Sequence, residues 1–256
     1  MSALLLMGML MVLTGCGQET APPQQEQPAP TAKVMKVVTE AGFAPFEFQE
    51  GNEFLGFDMD IIRAIGEAEG YQVEISHMGF DSLVPALQSD KADVVIAGMS
   101  IDPERAKAVD FSTPYFDAGL IIAVAENTTG IATLEDLQGK KIAGQVGTIG
   151  AAACDSVKEK DPKTEVRIFD NVGEAFMELE KGGIDAVVND HPVTAYYIQT
   201  SGQGKTKMVG EVFSADDQYG IAVKKGNTEM LKVVNDGLSK IKADGKYDEI
   251  YKRWFD

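Results

Sequence analysis

Cysteine is nearly absent from this sequence. Its 256 residues contain only Cys16 and Cys154, and Cys16 lies in an N-terminal segment unlike the rest of the chain. The part that folds therefore has no cysteine pair and cannot form an internal disulfide, even in an oxidising compartment. We expect Cys154 to be a small buried apolar side chain near the start of a helix, rather than a reactive thiol.

Positive charge and histidine are also scarce. Asp and Glu outnumber Lys and Arg by 40 to 23, which gives a formal net charge of −17, and no run of basic residues stands out. Such a chain is repelled by phosphate backbones, so we expect no nucleic-acid partner. The only histidines, His77 and His191, show no pairing typical of a metal site or a catalytic triad. The sequence predicts no metal, no cofactor and no catalytic residue.

Long apolar runs are missing as well. The longest candidate, Leu4 to Leu13, is shorter than the roughly 20 residues that a membrane-spanning helix needs. It suits the hydrophobic region of a secretory signal, although no Lys or Arg precedes it. The run ends in Leu-Thr-Gly-Cys, which resembles the bacterial lipobox. We therefore predict a lipoprotein signal peptide over residues 1–16 with lipidation of Cys16, and a plain secretory signal is the alternative.

Residues 17–33 are rich in Gln, Pro, Ala, Glu and Thr and contain no large apolar side chain. Such a composition cannot bury enough apolar surface to fold, so a disordered tether is predicted here. A proline-rich chain extends by about 3.1 Å per residue, enough to hold a folded body some tens of ångströms from a membrane.

From Val34 onward, short apolar runs alternate with amphipathic stretches. "VMKVVTE", "YQVEISHM" and "ADVVIAGMS" are typical of strands, and "GFDMDIIRAIGEAEG" and "FDSLVPALQSD" of helices, the second with Asp81 as a possible N-cap. The same rhythm repeats in "KKIAGQV", "TEVRIF" and "IDAVVND" with helices between them, one capped by Asn171. Two α/β units, each with a largely parallel sheet and helices on both sides, predict two lobes with a cleft between them.

Polar residues follow four of the predicted strands, where ligands bind in α/β sheets. They are Glu40, the stretch 98–105, the stretch 145–148, and Asn189 with Asp190. Because these strand ends face the cleft, we expect the polar groups to converge on one ligand.

The stretch "AGMSIDPERAKAVDFSTPYF" suggests a carboxylate site. Asp102 is placed to cap a short helix whose free N–H groups attract an anion, and the fork of Arg105 matches a carboxylate. Ser100 adds a hydroxyl, and Gly98 allows close approach of a ligand to the main chain. The alternative is that Arg105 only pairs with Asp102 or Glu104 on a surface turn.

Asp190 is the complementary group, since an ionised carboxylate at a strand end can hold an ammonium group. Its alternative role is to cap the following helix. Thr148 places a second helix N-terminus near the carboxylate. Phe43 and Phe80 either flank a ligand side chain or are core residues. Glu40 either binds the polar end of that side chain or is a solvated loop charge.

The whole body from about Val34 resembles solute-binding protein family 3, the polar and basic amino-acid-binding lipoproteins of bacterial uptake transporters. "APFEF", "GFDMDI", "AGMSIDPERAKAVDFSTPYF", "GTIG", "VVND" and "YDEIYKRWF" occur in the order and spacing of that family. The resemblance implies a two-lobed periplasmic-binding-protein fold (type II), with two mixed sheets flanked by helices and a ligand cleft between the lobes. It also implies that an α-carboxylate is held by Arg105, Ser100 and Thr148, and an α-ammonium by Asp190 and the Gly98 carbonyl. The ligand side chain would be flanked by Phe43 and Phe80, and its far end would be recognised by Glu40.

Departures from the family pattern bear on the ligand. Glutamine-binding members carry Lys where Gln145 stands and His where Asn189 stands, and Ile149 replaces a threonine of many members. The loss of a cationic Lys leaves Glu40 unopposed, which favours a cationic ligand. Arginine or lysine is therefore expected first and glutamine next.

The resemblance further implies a domain order and partners. Residues 34–115 and 216–256 would form the first lobe and 116–215 the second, with hinge strands near 115–119 and 215–219. A free amino acid would close the lobes, and a membrane permease of an ABC importer would receive it from a monomeric, extracytoplasmic, lipid-anchored protein. The alternative is an enzyme on the same fold, similar to a cyclohexadienyl dehydratase.

Overall fold

The computed structural model describes residues 33–256. The predicted signal peptide, the lipidation of Cys16 and nearly all of the predicted tether lie outside the described residues. Within the described part, no helix is both long enough and apolar enough to span a bilayer.

The strands follow in chain order. They are β1 Lys33–Thr39, β2 Gly42–Phe43, β3 Glu47–Glu50, β4 Glu53–Leu55, β5 Tyr71–His77, β6 Val94–Val95, β7 Val109–Phe111, β8 Phe116–Asp117, β9 Leu120–Ala125, β10 Lys141–Gln145, β11 Glu165–Phe169, β12 Ala186–Asp190, β13 Thr206–Phe213, β14 Gln218–Tyr219 and β15 Ala222–Lys224. The helices are α1 Phe57–Glu69, α2 Phe80–Gln88, α3 Arg105–Ala108, α4 Ile149–Lys160, α5 Val172–Glu180, α6 His191–Thr200, α7 Thr228–Ala243 and α8 Lys246–Phe255.

Two five-stranded mixed sheets organise these elements. The first has the order β5-β1-β6-β15-β7, and the second has the order β11-β10-β12-β9-β13. In each sheet the first three strands run parallel, and the last two pair antiparallel. We call the first sheet with α1, α2, α3, α7 and α8 lobe 1, and the second sheet with α4, α5 and α6 lobe 2. The predicted two-lobed α/β fold is confirmed, and the bounds assigned to the lobes stay a prediction.

Helix α1 shows how the apolar pattern sets the packing. Ile61, Ile62 and Ile65 recur at helical spacing and are fully buried against the sheet and α7. The helix ends at Gly70, whose φ of 72° is the left-handed cap conformation that glycine adopts without steric cost. Burial of each isoleucine contributes about 1.5–3 kcal/mol, so this face fixes the helix on lobe 1.

Two short strands cross between the lobes. β8 pairs antiparallel with β14, Phe116 opposite Tyr219 and Asp117 opposite Gln218, where the family resemblance implies hinge strands. Aromatic rings pack around this crossing, with the ring centroids of Phe46 and Phe116 4.8 Å apart and edge to face. The crossing therefore lies in a continuous aromatic core.

Three local predictions differ from the structure. Strand β6 covers only Val94–Val95, because the chain beyond it leaves the sheet toward the cleft. Helix α2 begins at Phe80, so Asp81 lies in its first turn and is not the N-cap. Helix α3 begins only at Arg105. Its expected free N–H groups are taken by Asp102 itself, whose Oδ1 accepts from the amides of Glu104 at 2.8 Å and Arg105 at 3.0 Å.

Candidate functional site

A narrow cavity lies between the lobes where the strand ends meet. The residues that line it are Phe43, Phe80, Ala97, Gly98, Ser100, Arg105, Gln145, Thr148, Ile149 and Asp190. Eight of the ten side chains predicted to bind a ligand are thus brought together, and Glu40 and Asn189 are not in this wall. The free space is about 10 Å³, room for the centre of about one water molecule. The side chains that line this space therefore have to move apart before an amino acid fits between the lobes.

Arg105 links the two lobes at this cavity. Its guanidinium donates to the Ser100 carbonyl at 2.9 Å in lobe 1 and to the Gly147 carbonyl at 2.8 Å in lobe 2. It also lies 5.2 Å from the centre of the Phe80 ring, within cation–π range. Its side chain points into the cleft and has no ion pair with Asp102 or Glu104, so the surface-turn alternative does not describe it. Burial lowers its pKa, and a guanidinium stays charged nonetheless.

Asp190 ends β12 and faces the same space. It occupies the N-cap position of α6, yet its side chain makes no capping hydrogen bond. Its Oδ2 instead accepts from the Tyr219 hydroxyl at 2.7 Å. Burial raises the pKa of Asp190 to about 7, an effect that the Tyr219 bond offsets only in part. A carboxylate in this setting gains more from a cationic partner than a solvated one does.

The sequence analysis missed Tyr219 and Asp217, both in or next to the crossing strand β14. Tyr219 is fully buried and joins this strand to Asp190 of lobe 2. One carboxylate oxygen of Asp217 is buried without a donor. Burial raises the pKa of Asp217, and the Ser100 hydroxyl and the charge of Arg105 oppose the rise. No motif marked either residue, because their contacts arise only when the crossing strands pass under the cleft.

Glu40 lies behind the cavity wall and binds lobe 2. Its Oε1 accepts from Nδ2 of Asn171 at 3.0 Å, while its Oε2 is buried and has no donor. Burial raises the pKa of Glu40, and the nearby side-chain amides of Asn171 and Gln145 counteract part of that rise. A buried carboxylate oxygen without a hydrogen-bond donor is energetically costly. Next to a cleft, such an oxygen would be stabilised by a cation or an N–H group of a ligand. The solvated-loop alternative is wrong, since Glu40 is only 3% exposed.

Asn171 both caps a helix of lobe 2 and contacts lobe 1. Its Oδ1 accepts from the Gly173 amide at 2.7 Å, which is the predicted N-cap of α5. Its amide nitrogen reaches lobe 1 and packs so tightly on Gly42 that a Cβ there would lie 1.7 Å from Nδ2. The sequence predicted the cap and gave no sign of the contact with Glu40.

The remaining predicted residues have local roles visible in the structure. Thr148 caps α4, accepting from the Ala151 amide at 3.1 Å and donating to the Gln145 carbonyl at 2.8 Å. The Gln145 amide donates to the Asp170 carbonyl at 3.0 Å. Asn189 is buried beside Thr194, with 3.4 Å between its Nδ2 and the threonine hydroxyl, and lies outside the cavity wall. Its predicted contact with a ligand stays a prediction.

Cys154 is fully buried in α4, as expected for an apolar side chain. Its pKa is raised by burial to about 12, so it remains a thiol near neutral pH. Among residues 33–256, no group of three or more His, Cys, Asp or Glu side chains is arranged to hold a metal ion.

A larger surface hollow of about 340 Å³ lies elsewhere, lined by Phe116, His191, Tyr196, Tyr251, Trp254 and their neighbours. About half of its lining residues are aromatic, and it does not bring together charged side chains of opposite sign as the cavity at Arg105 and Asp190 does. We therefore take the cavity at Arg105 and Asp190 as the candidate functional site.

Two α/β lobes with a charged cleft between them are the arrangement typical of extracellular solute-binding proteins. The chain matches the family "Bacterial extracellular solute-binding proteins, family 3" over residues 35–256, and it belongs to that family.

Similar proteins carry the names of amino-acid-binding proteins. A probable histidine-binding protein of Neisseria gonorrhoeae is 33% identical over 96% of this chain and 91% of its own length. A solved structure of an ancestral arginine-binding protein bound to arginine is 46% identical, has a TM-score of 0.84, and matches 87% of this chain and 98% of that chain. A structure of an ancestral arginine-binding protein bound to glutamine is 45% identical with a TM-score of 0.82, over 88% and 99% of the two chains.

Proposed function

We propose that this protein captures a free L-amino acid with a cationic side chain, arginine or lysine, and delivers it to the membrane permease of an ABC importer. Glutamine is the next candidate. Membership in the solute-binding family supports the transport role, and the relatives' names indicate amino-acid ligands. The observation that carries the choice of ligand is the charge balance of the cleft.

Every amino acid brings one carboxylate and one ammonium group, and the cleft has a counterpart for each. Arg105 matches the carboxylate, and Asp190 matches the ammonium. After these pairs are made, the buried Oε2 of Glu40 still has no donor. A guanidinium or ammonium at the end of the ligand side chain would neutralise it, whereas a neutral side chain offers at most an uncharged hydrogen bond. A basic amino acid therefore forms one more ion pair in the cleft, with Glu40, than glutamine does.

Ligand entry and capture would use the crossing strands as a hinge. Arg105, Glu40 and Asn171 each already contact a group across the cleft. A ligand that bridges the lobes adds contacts present only when they are together, and so shifts the population toward the closed form. We further propose that the protein acts as a monomer held at the outer face of the membrane through lipidated Cys16, with the segments 34–115, 116–215 and 216–256 as its lobes.

The test is a titration of the purified, ligand-free protein with arginine, lysine, histidine, glutamine and glutamate by calorimetry and thermal unfolding. A ligand at a thousand times its dissociation constant adds about 4 kcal/mol of stability, which raises Tm by roughly 10 °C for a chain of this size. We expect arginine or lysine to give the largest shift. If no amino acid shifts the curve, the assignment of Arg105 and Asp190 is wrong.

Glu40→Gln tests the ligand choice. It removes the charge and keeps the shape, so arginine affinity should fall by about 10- to 150-fold, as expected for losing a hydrogen bond to a charged group, and glutamine affinity should change less. Glu126→Gln, an exposed site in lobe 2, changes the net charge equally and should leave both affinities unaltered. Equal losses for arginine and glutamine in Glu40→Gln would contradict a cationic ligand.

We propose binding without turnover. The thiol of Cys154 is buried and protonated, and the cleft groups match the ends of an amino acid. Incubation with a cyclohexadienyl acid and analysis for loss of water or carbon dioxide decides the point, because product formation would make the protein a dehydratase.

A further inference from the structure

Two carboxyl groups lie together beneath the floor of the cleft, in lobe 1. Glu47 opens β3, and Asp58 is the second residue of α1. The Asp58 amide donates to the Phe46 carbonyl at 2.9 Å, and the carboxyl groups of Glu47 and Asp58 lie within hydrogen-bonding reach of each other. Both residues are 0% exposed, so water does not solvate either carboxyl.

The hydrogen bonds of this pair are unequal. Oδ2 of Asp58 accepts from the Gly98 amide at 2.8 Å and from the Tyr115 hydroxyl at 2.7 Å. Oδ1 of Asp58 and both oxygens of Glu47 are buried without a donor. Two adjacent buried carboxylates would each carry the cost of lost hydration and repel one another. A single proton between them removes the repulsion and gives Oδ1 its missing donor.

The surroundings decide which residue carries the proton. Burial raises the pKa of Glu47 well above the usual range, and the carboxylates of Asp58, Glu40 and Asp190 add to the rise. Asp58 instead has two donors and a place in the first turn of α1, where the helix dipole favours negative charge.

Two tyrosines lie on this side of the pair. Tyr115 donates to Asp58, and Tyr247 of α8 donates to the Tyr115 carbonyl. Burial raises the pKa of Asp58 to about 6, and the hydrogen bonds from Gly98 and Tyr115 limit the rise. Above that pH, Asp58 is therefore the carboxylate that is ionised.

We propose that Glu47 is a carboxylic acid that donates its proton to Oδ1 of an ionised Asp58, and that this pair positions the main chain at Gly98. Gly98 has a φ of 51° and lies in the cavity wall, so its placement shapes the cleft. Through Tyr115 the same carboxylate holds the segment just before crossing strand β8. Glu47 is a positioning residue that acts through Asp58. The inference goes beyond the proposed function, and none of its tests needs a ligand.

The test is the pH dependence of the folding equilibrium for the full chain and for Glu47→Gln, from denaturant titrations between pH 6.5 and 8.5, where Asp58 is ionised. In the unfolded chain Glu47 ionises near pH 4.3, so folding of the wild type takes up one proton above that pH. The folding equilibrium constant of the wild type should then fall by about tenfold per pH unit relative to Glu47→Gln. The glutamine amide still donates to Asp58, so the variant should fold.

Glu50→Gln is the matched control, because Glu50 is at the other end of the same strand and is exposed. Its pH profile should parallel the wild type. Parallel profiles for Glu47→Gln and the wild type would overturn the proposal, since Glu47 would then be ionised in the folded chain.

A second measurement applies even if Glu47→Gln does not fold. The infrared spectrum of the native protein in D2O at pH 9 should contain a carboxylic acid C=O band that disappears on unfolding. The band should persist in Glu40→Gln, which replaces the buried carboxyl group next to the cleft. Absence of the band in the wild type, or its loss in Glu40→Gln, would overturn the assignment to Glu47.

Discussion

The hydrogen bond from Asn171 to Glu40 can be removed without disturbing the helix that Asn171 caps. Serine is as good an N-cap as asparagine, so Asn171→Ser should keep the bond to the Gly173 amide, while its shorter side chain cannot reach Glu40. The variant leaves Oε1 of Glu40 without its 3.0 Å donor. A hydrogen bond to a charged group contributes about 1.5–3 kcal/mol, and this one exists only when the lobes are together.

The loss should therefore appear in ligand binding rather than in the stability of the lobes. We expect the arginine dissociation constant of Asn171→Ser to rise by about 10- to 150-fold, mainly through faster dissociation, measured by calorimetry and stopped-flow displacement. The Tm of the ligand-free protein should change little.

Asn227→Ser is the matched control for this experiment. Asn227 caps α7 in the same way, accepting from the Met230 amide at 3.1 Å, and it is in lobe 1 away from the cleft. Its arginine affinity should equal that of the wild type. The reasoning is refuted if Asn171→Ser binds arginine as tightly as Asn227→Ser does.

Three further outcomes are expected. Arginine affinity should fall by about tenfold per pH unit below about pH 7, because protonated Asp190 no longer pairs with an ammonium group, and Asp190→Asn should bind weakly with a flat pH profile in calorimetry. Gly98→Ala should weaken arginine binding, since φ is positive and the new Cβ would lie 2.9 Å from the Phe43 ring; unchanged affinity would contradict a tight wall there. Leu83→Ala, at a fully buried position of lobe 1, should lower the free energy of unfolding by about 2–5 kcal/mol in urea titrations, and a loss below 1 kcal/mol would mean that the core collapses around the gap.

The local sequence pattern alone was enough to predict the fold class and many of the residues that line the cleft. Apolar spacing placed α1 and its stop at Gly70, and the alternation of strands and helices gave two α/β units. The segment after β6 that carries Arg105 and the end of β12 that carries Asp190 both reach the cleft as expected, because each sheet presents the carboxyl ends of its parallel strands at one edge. Periodicity and topology are properties of neighbouring residues, so they can be predicted from the sequence.

The local pattern was misleading where a polar side chain has a choice of partners. Asp102 was expected to cap a helix whose N–H groups attract an anion; its Oδ1 does accept from the amides of Glu104 and Arg105, so those two amides are not available to an anion. Asp190 was expected to hold an ammonium group, with a helix cap as the alternative; its side chain makes no capping bond and accepts from Tyr219, which the sequence did not indicate. Each choice depends on whether a distant group comes within hydrogen-bonding distance.

The sequence by itself determined the two α/β units, the family and the chemical types of side chain at the cleft. Only the tertiary structure decided how those side chains pair: Asn171 with Glu40 across 131 residues, Tyr219 with Asp190, and Asp58 with Gly98. Burial and the charge of neighbours set the pKa of a carboxyl, and both arise only when the lobes and crossing strands come together. For that reason the acidic groups of this cleft are visible in the sequence, while their protonation and their partners are properties of the fold.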